Sequence, residues 1–158
     1  MVTDPRWFDK IEEYLHNADN IRGFAQENRW LSNFESCRVE YENMIYHSSE
    51  GAYQAAKTLD LDIRKKFCSM PPSLCKKEGR KLVIREDWND VKLQVMKDVL
   101  ISKFTLNIDL KDKLIATGDK YLEETNWWGD TYWGVCNGIG ENNLGIILMN
   151  VRNIVKAL

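Results

Sequence analysis

The stretch WNDVKLQVMKDVLISKF, residues Trp88–Phe104, decides the fold class of this chain of 158 residues. Its apolar side chains recur three and four residues apart, at Val91, Val95, Met96, Val99, Leu100 and Phe104. Residues at these spacings share one face of an α-helix, so the stretch predicts a long helix with one buried side. Asp87 stands directly before it, where an aspartate can cap the first turn. This is the strongest helix pattern in the chain, and it indicates a mainly helical domain.

Shorter elements are predicted on both sides of this helix. Between Ile21 and Tyr46 the pattern is irregular and β-like in GFAQ, CRVEY and MIY, with turns at Glu27–Asn28 and Glu42–Asn43. We therefore expect a single compact α+β domain, mainly α-helical, with a few short strands in its N-terminal third. The further predicted helices span Pro5–His16, Ser48 or Ser49 to Thr58, Asp62–Cys68, Ser73–Ile84, Asp109–Ala116, and a last helix from Asn142 or Asn143.

The composition is that of one globular domain and excludes several classes of protein. The hydrophobic fraction is 44%, and the net charge of −2 provides no general attraction to nucleic acid. The longest purely apolar run, Ile146–Met149, is too short to span a bilayer, so we expect no membrane association. Charged residues from Asp4 to Lys10 stand where a signal peptide would be apolar, so a cytoplasmic location is expected. The four cysteines form no C-x-x-C pair, and we expect neither a metal site nor a cofactor.

A run near the C-terminus, WWGDTYWGVCNGIGENNLG at Trp127–Gly145, indicates a binding pocket. It holds three tryptophans and five of the nine glycines of the chain, which is too much glycine for a helix. Flat apolar side chains, a tight backbone and one carboxylate, Asp130, suit a pocket for a planar ring. A turn that tryptophans anchor to the core is the other interpretation of the same run.

The helix that begins at Ser48 or Ser49 carries three polar residues in one column. Glu50, Gln54 and Lys57 lie four and seven positions apart and therefore share a face. Such a column is either a solvated stripe with an internal ion pair or part of a site. A basic run further on is likewise either a solvated helix face or a contact for phosphates; it consists of Lys76, Lys77, Arg80, Lys81 and Arg85.

Four blocks of the sequence, in this order, resemble the motif blocks of the NADAR superfamily, the YbiA-like proteins associated with NAD and ADP-ribose metabolism. The resemblance covers Gly23 to Arg152, which suggests an N-terminal helical extension at 1–20 and a NADAR domain at 21–158. The blocks are RWLSNFESCRVEYENMIYHSSEGAYQAAK, EDWNDVKLQVMKDVLISKF, LIATGDKYLEE and GDTYWGVCNGIGENNLGIILMNVR.

The resemblance implies a mainly helical domain with N-glycosidase activity. Members of the family cleave the bond between a ribose and an exocyclic amine, in riboflavin precursors in one branch and in ADP-ribosylated guanine in another. By motif, the family's glutamate falls on Glu50, its lysine on Lys57 and its later acid on Asp130. Two positions depart from the riboflavin-type pattern, since Gly51 replaces a common histidine and WGVC at Trp133–Cys136 replaces WGDG. Residues expected to bind substrate are Asn33, Phe34, Tyr53, Gln54, Trp88, Trp133, Gly134 and Asn142.

This chemistry requires a proton donor and a group that activates water. We assign proton transfer at the ribose to Glu50 and the orientation of a ribose hydroxyl or the water to Asp130, although the two roles can be exchanged. Lys57 either pairs electrostatically, the role favoured by the sequence, or captures the opened sugar as a Schiff base. The start of the last helix, near Gly140–Asn143, could hold a phosphate, and ordinary capping by asparagine is an equally strong interpretation of the same segment.

The leading hypothesis is an N-glycosidase that removes ADP-ribose from guanine, including guanine in nucleic acid, or acts on a related N-ribosyl nucleotide. One alternative is hydrolysis of a riboflavin-biosynthesis intermediate. Another is a non-catalytic module that binds ADP-ribose or NAD, in which the carboxylates only hydrogen-bond the ribose.

Overall fold

The computed structural model describes residues 20–158. The predicted helix Pro5–His16 and almost all of the expected N-terminal extension lie outside the described residues. The described elements are β1 (Asn20–Arg22), a 3-10 helix (Gln26–Leu31), β2 (Val39–Tyr41), β3 (Met44–Tyr46), α1 (Ser49–Ala55), α2 (Leu61–Phe67), α3 (Pro72–Gly79), α4 (Trp88–Leu106), α5 (Ile108–Ala116), β4 (Tyr121–Glu123), β5 (Thr125–Asn126), β6 (Val135–Cys136) and α6 (Asn143–Lys156).

Helix α4 is the central element, as its apolar pattern predicts. It packs against α6, α1 and β2, so three separate parts of the chain meet on it. Its buried face consists of Val95, Met96, Val99, Leu100 and Phe104, all at most 4% exposed. Burial of each such side chain contributes about 1.5–3 kcal/mol, so this face contributes strongly to the stability of the domain. The predicted cap differs, because the Asp87 carboxylate binds the guanidinium of Arg85 at 2.6 and 2.9 Å instead of the helix backbone.

The strands form three two-stranded sheets within residues 20–158. The hairpin of β2 and β3 turns at Glu42 and Asn43, both with positive φ, as the sequence predicts. GFAQ forms no strand, since β1 precedes it and the 3-10 helix begins at Gln26. Strand β1 pairs in parallel with β4, and β5 pairs in parallel with β6. Strands β4, β5 and β6 lie outside the N-terminal third, to which the prediction assigned the strands. Strands of two or three residues have too little periodicity to be recognised in a sequence.

Helix α1 is buried along its whole length and positions the residues of the polar column. Ser48 caps it, because its hydroxyl accepts a hydrogen bond from the Gly51 backbone N–H at 3.0 Å. The small residues Ala52, Ala55 and Ala56 are completely buried and allow close packing of the helix. The Glu50 backbone N–H donates to the carbonyl of Asn33 at 3.0 Å, which joins the loop of residues 32–34 to the first turn.

Two other features concern the class of protein. Within the described part of the chain, the helices are too short or too polar to cross a membrane. Among the same residues, no three histidine, cysteine, aspartate or glutamate side chains lie together as ligands for a metal ion.

Candidate active site

A cleft of about 470 Å³ brings the polar column of α1 together with the tryptophan-rich run. One part of its lining, the α1 wall, consists of Ser32, Asn33, Phe34, Glu50, Gln54 and Lys57. The other part, the tryptophan wall, consists of Glu124, Trp128, Asp130 and Trp133. Tyr53 also lines the cleft and joins the two walls, since its ring meets that of Trp133 edge to face at 5.5 Å. Glu50 thus shares one cavity with Glu124 and Asp130, which lie more than seventy residues further along the sequence.

Glu50 is a buried carboxyl, with 8% of its surface exposed. Its Oε1 accepts a hydrogen bond of 2.8 Å from the Gln54 side-chain amide, one helical turn further on. Burial raises the pKa of Glu50, while Gln54, Lys76 and Lys57 act in the opposite direction. A carboxyl in these surroundings retains a proton more readily than one in water, as proton donation requires.

Two lysines bring positive charge to the cleft. Lys57 completes the predicted column, and its ammonium lies 5.5 Å from the centre of the Tyr53 ring. Burial lowers the pKa of Lys57. The charge of Glu50 acts against this shift, and the charge of Arg80 adds to it. Lys76 of α3 also lines the cleft, with its ammonium 5.7 Å from the ring of Phe34. The basic run that contains Lys76 is apparent in the sequence, but the sequence does not indicate that Lys76 belongs to the site.

Asp130 shapes the turn that carries the tryptophan wall. Its Oδ1 accepts backbone hydrogen bonds from Tyr132 at 3.1 Å and Trp133 at 2.9 Å. Asn126 holds the same turn from the other side, because its amide donates to the Asp130 carbonyl and accepts from the Asp130 backbone N–H. The carboxylate therefore has a fixed place in the cleft.

Three residues expected to bind substrate lie outside the lining. Trp88 packs behind Tyr53, with the two ring centres 5.2 Å apart, and is 7% exposed. Gly134 allows a close backbone approach, because a Cβ atom there would lie 2.1 Å from the Glu124 carbonyl oxygen. Asn142 is buried, and its side chain binds the Glu124 backbone N–H and the Leu122 carbonyl. These residues support the cleft rather than line it.

The start of α6 also differs from the expectation of a phosphate site. The backbone N–H groups from Glu141 to Leu144 donate to the carbonyls of residues 131–134, at distances of 2.8 to 3.3 Å. These four backbone N–H groups thus find their hydrogen-bond partners within the chain, and none of them is free to bind a phosphate. The sequence could not reveal this, because the partners come from the folded turn of the tryptophan wall.

Glu124 is a functional candidate that was not predicted from the sequence. It lines the cleft near Asp130, directly after β4. Burial and the Asp130 charge raise the pKa of Glu124 to about 7. The sequence shows two adjacent acids, Glu123 and Glu124, but only the folded structure shows that Glu123 pairs with Arg22 and that Glu124 lines the cleft. Phe24, Ser32, Met96, Trp128 and Leu144 complete the part of the lining that was not predicted.

A family model described as the NADAR domain matches residues 17–156 of the chain. The chain belongs to the NADAR family. N-glycosidase YbiA of Escherichia coli (strain K12) is 34% identical over 149 residues, which cover 91% of this chain and 88% of that protein. The NMR structure of E. coli YbiA has a TM-score of 0.78 at 30% identity, and the match covers 88% and 86% of the two chains.

A riboflavin biosynthesis protein of Vibrio vulnificus (strain YJ016) is 33% identical over 144 residues, which are 88% of this NADAR chain but 37% of that protein. The chain thus spans little more than a third of this relative and most of YbiA. The expected family, the fold and the general class of activity, an N-glycosidase, are confirmed.

The two departures from the riboflavin-type NADAR pattern lie away from the cleft lining. A Cβ atom at Gly51 would contact Cys75, Ser48 and Tyr46, at 3.4 to 3.7 Å, in the packed interior. Val135 and Cys136 form β6, which pairs with β5. Neither difference lies among the residues that line the cleft.

Proposed function

We propose that this protein hydrolyses the bond between a ribose and an exocyclic amine of a base, in a substrate that carries phosphate. The observation that carries the proposal is the shared cleft of Glu50 and Asp130, with aromatic rings between and around them. Its volume of about 470 Å³ lies in the range of small-molecule sites and accepts a ribosyl base.

Glu50 is the proton donor at the ribose. A glycosylamine opens when a proton reaches the ring oxygen and the nitrogen lone pair forms an imine at C1′. The raised pKa of Glu50 supports this role, because the acid remains protonated closer to neutral pH. Gln54 holds the carboxyl in one orientation through its hydrogen bond of 2.8 Å.

Asp130 orients the water or a ribose hydroxyl. One of its oxygens is occupied by the backbone of the tryptophan wall, which fixes the direction of the carboxylate before substrate binds. Groups that are already oriented lower the cost of ordering the reactants in the transition state.

Lys57 supplies the amine that captures C1′. The lowered pKa of Lys57 increases the fraction that is neutral and nucleophilic, which favours this role over the purely electrostatic one. Lys76 stays at the cleft as a cation for a phosphate group of the substrate. Trp128 is 55% exposed and offers a face on which a nucleobase can stack.

ADP-ribosylated guanine, free or in nucleic acid, is the substrate that we favour, because it combines a planar base, an N-riboside and a diphosphate. A ribosylamino-pyrimidine of riboflavin synthesis is the second candidate. Two observations favour it. The Vibrio relative is named as a riboflavin biosynthesis protein, and both departures from the riboflavin-type sequence pattern lie outside the cleft lining.

The test is a substrate panel assayed with the wild type and Glu50→Gln. The panel contains ADP-ribosylated guanine oligonucleotide, ribosylamino-pyrimidine phosphate, NAD and ADP-ribose. We expect release of ADP-ribose from the first substrate, and a loss of at least about 100-fold in Glu50→Gln at an unchanged melting temperature. Full activity of Glu50→Gln would exclude Glu50 as the proton donor. Binding without release by the wild type would instead support the non-catalytic module.

A further inference from the structure

The carboxyl of Glu124 lines the cleft but has no role in the mechanism proposed so far. Several hydrogen bonds hold the backbone of Glu124 in place. Its backbone N–H donates to the Asn142 side chain at 3.0 Å. Its carbonyl accepts from the Val135 backbone at 2.9 Å and from the Asn126 amide at 3.4 Å. The absent side chain of Gly134 makes room for it, since a Cβ atom there would lie 2.9 Å from the Glu124 Cγ.

The charges around Glu124 differ from those around Glu50. Asp130 is the charged group that acts on Glu124, and it works in the same direction as burial to raise the pKa of Glu124 to about 7. Lys57 and Lys76 act on Glu50, where they oppose the effect of burial on its pKa. The cleft therefore holds two acids whose pKa values are raised by burial, one on each wall, and each has its own charged neighbours.

Cleavage of an N-riboside needs protons at two atoms. The ring oxygen takes one when the sugar opens, and the exocyclic nitrogen takes another when it leaves as an amine. A single carboxyl cannot serve both atoms without being reprotonated between the two steps. Two protonated carboxyls on different walls of the cleft meet this requirement.

We propose that Glu124 is the general acid for the leaving amine, with Asp130 beside it as the anionic member of the pair. This inference rests on the proposed function. Before the step, the Lys57 amine adds to the C1′ imine, and the extra proton of that amine returns to Glu50. In the step, the Lys57 nitrogen lone pair forms the Schiff base as the C1′–N bond to the base breaks, and the electron pair of that bond stays on the exocyclic nitrogen of the base. The proton of the Glu124 carboxyl moves to that nitrogen, and Glu124 is left as a carboxylate. Water then adds at C1′ of the Schiff base, one of its protons restores the Glu124 acid, and the adduct collapses to the open-chain sugar and the free Lys57 amine.

The test uses N-ribosides whose leaving arylamines differ in basicity, assayed with the wild type, Glu124→Gln and Glu124→Asp. A general acid is needed most for basic amines, which leave poorly as anions. We expect Glu124→Gln to lose about 100- to 10,000-fold in kcat with the most basic amine and less than about tenfold with the most electron-poor one. We also expect Glu124→Gln to lose the contribution of Glu124 to the alkaline limb of the pH profile, so that only the contribution of Glu50 remains, and Glu124→Asp to retain the Glu124 contribution at a displaced pH.

Glu123→Gln is the matched control. Glu123 precedes Glu124 directly, lies outside the cleft lining and forms an ion pair of 3.0 Å with Arg22. It should retain the wild-type rates across the whole series of amines. Equal losses for all amines in Glu124→Gln would overturn the proposal in favour of a structural role, and so would an unchanged rate. A wild type that cleaves none of the N-ribosides would refute the proposed function itself, and this inference with it.

Discussion

Replacing Glu124 with glutamine removes a carboxyl that the folded protein holds largely away from water, and the effect on stability depends on pH. Burial raises the pKa of Glu124 from its ordinary value of 4.5 to about 7. Between these two values the unfolded chain has lost the proton while the folded protein still retains it. The folded state thus binds more protons, and the free energy of unfolding falls as pH rises through this window.

The size of the effect follows from the shift. A difference of about 2.5 pKa units corresponds to about 3 kcal/mol. Glutamine keeps the shape of the side chain and does not ionise. The free energy of unfolding of Glu124→Gln minus that of the wild type should therefore be constant below pH 4.5. It should increase by about 3 kcal/mol between pH 4.5 and pH 8.

The assay is urea unfolding followed by tryptophan fluorescence at pH values from 4 to 9, for both proteins. Glu123→Gln is unfolded under the same conditions for comparison. This variant removes the ion-pair partner of Arg22, so its free energy of unfolding at pH 7 should be lower than that of the wild type. A difference between Glu124→Gln and the wild type that stays flat over the whole range would refute the reasoning. Such a result would mean that water reaches the Glu124 carboxyl.

Three further predictions concern the cleft and its support. Lys57→Arg keeps the positive charge but lacks a nucleophilic amine, so turnover and any borohydride-trapped adduct on residue 57 should be lost; turnover near the wild-type rate would favour the electrostatic role. Gly134→Ala places a Cβ atom against the Glu124 carbonyl and should cost about 1–3 kcal/mol in urea unfolding, with reduced kcat; unchanged values would contradict the close approach. Ser48→Ala removes the cap of α1 and should cost about 1 kcal/mol by thermal melting, whereas the exposed Ser73→Ala should have almost no effect.

The helical part of the fold and the α1 wall of the cleft were predictable because both depend on local spacing. The apolar rows of Trp88–Phe104 recur at the helical period, and α4 buries that face. The same period places Glu50 and Gln54 on one face of α1. Lys57 lies just beyond the end of the helix at Ala55, earlier than the predicted end at Thr58, and all three residues line the cleft. The hairpin turn at Glu42 and Asn43 was predictable for a similar reason, since both residues tolerate a positive φ.

Contacts between distant parts of the chain could not be predicted in this way. Trp88 begins α4 as expected, but the position of the Tyr53 ring decides that Trp88 supports the cleft instead of lining it. Asn142 precedes α6 as expected, but its side chain is taken by Glu124 and Leu122, which come about twenty residues earlier.

The amino-acid sequence by itself determined the helices, the family and the acids Glu50 and Asp130, because spacing and motif are properties of short segments. Only the tertiary structure decided that Glu124, and not Glu123, lines the cleft. Parallel pairing of β4 with β1 aligns Glu123 with Arg22, about a hundred residues earlier in the chain, and Glu123 forms its ion pair there. Glu124 follows β4 directly, and hydrogen bonds of its backbone to Asn142 and Val135 hold it where its carboxyl lines the cleft.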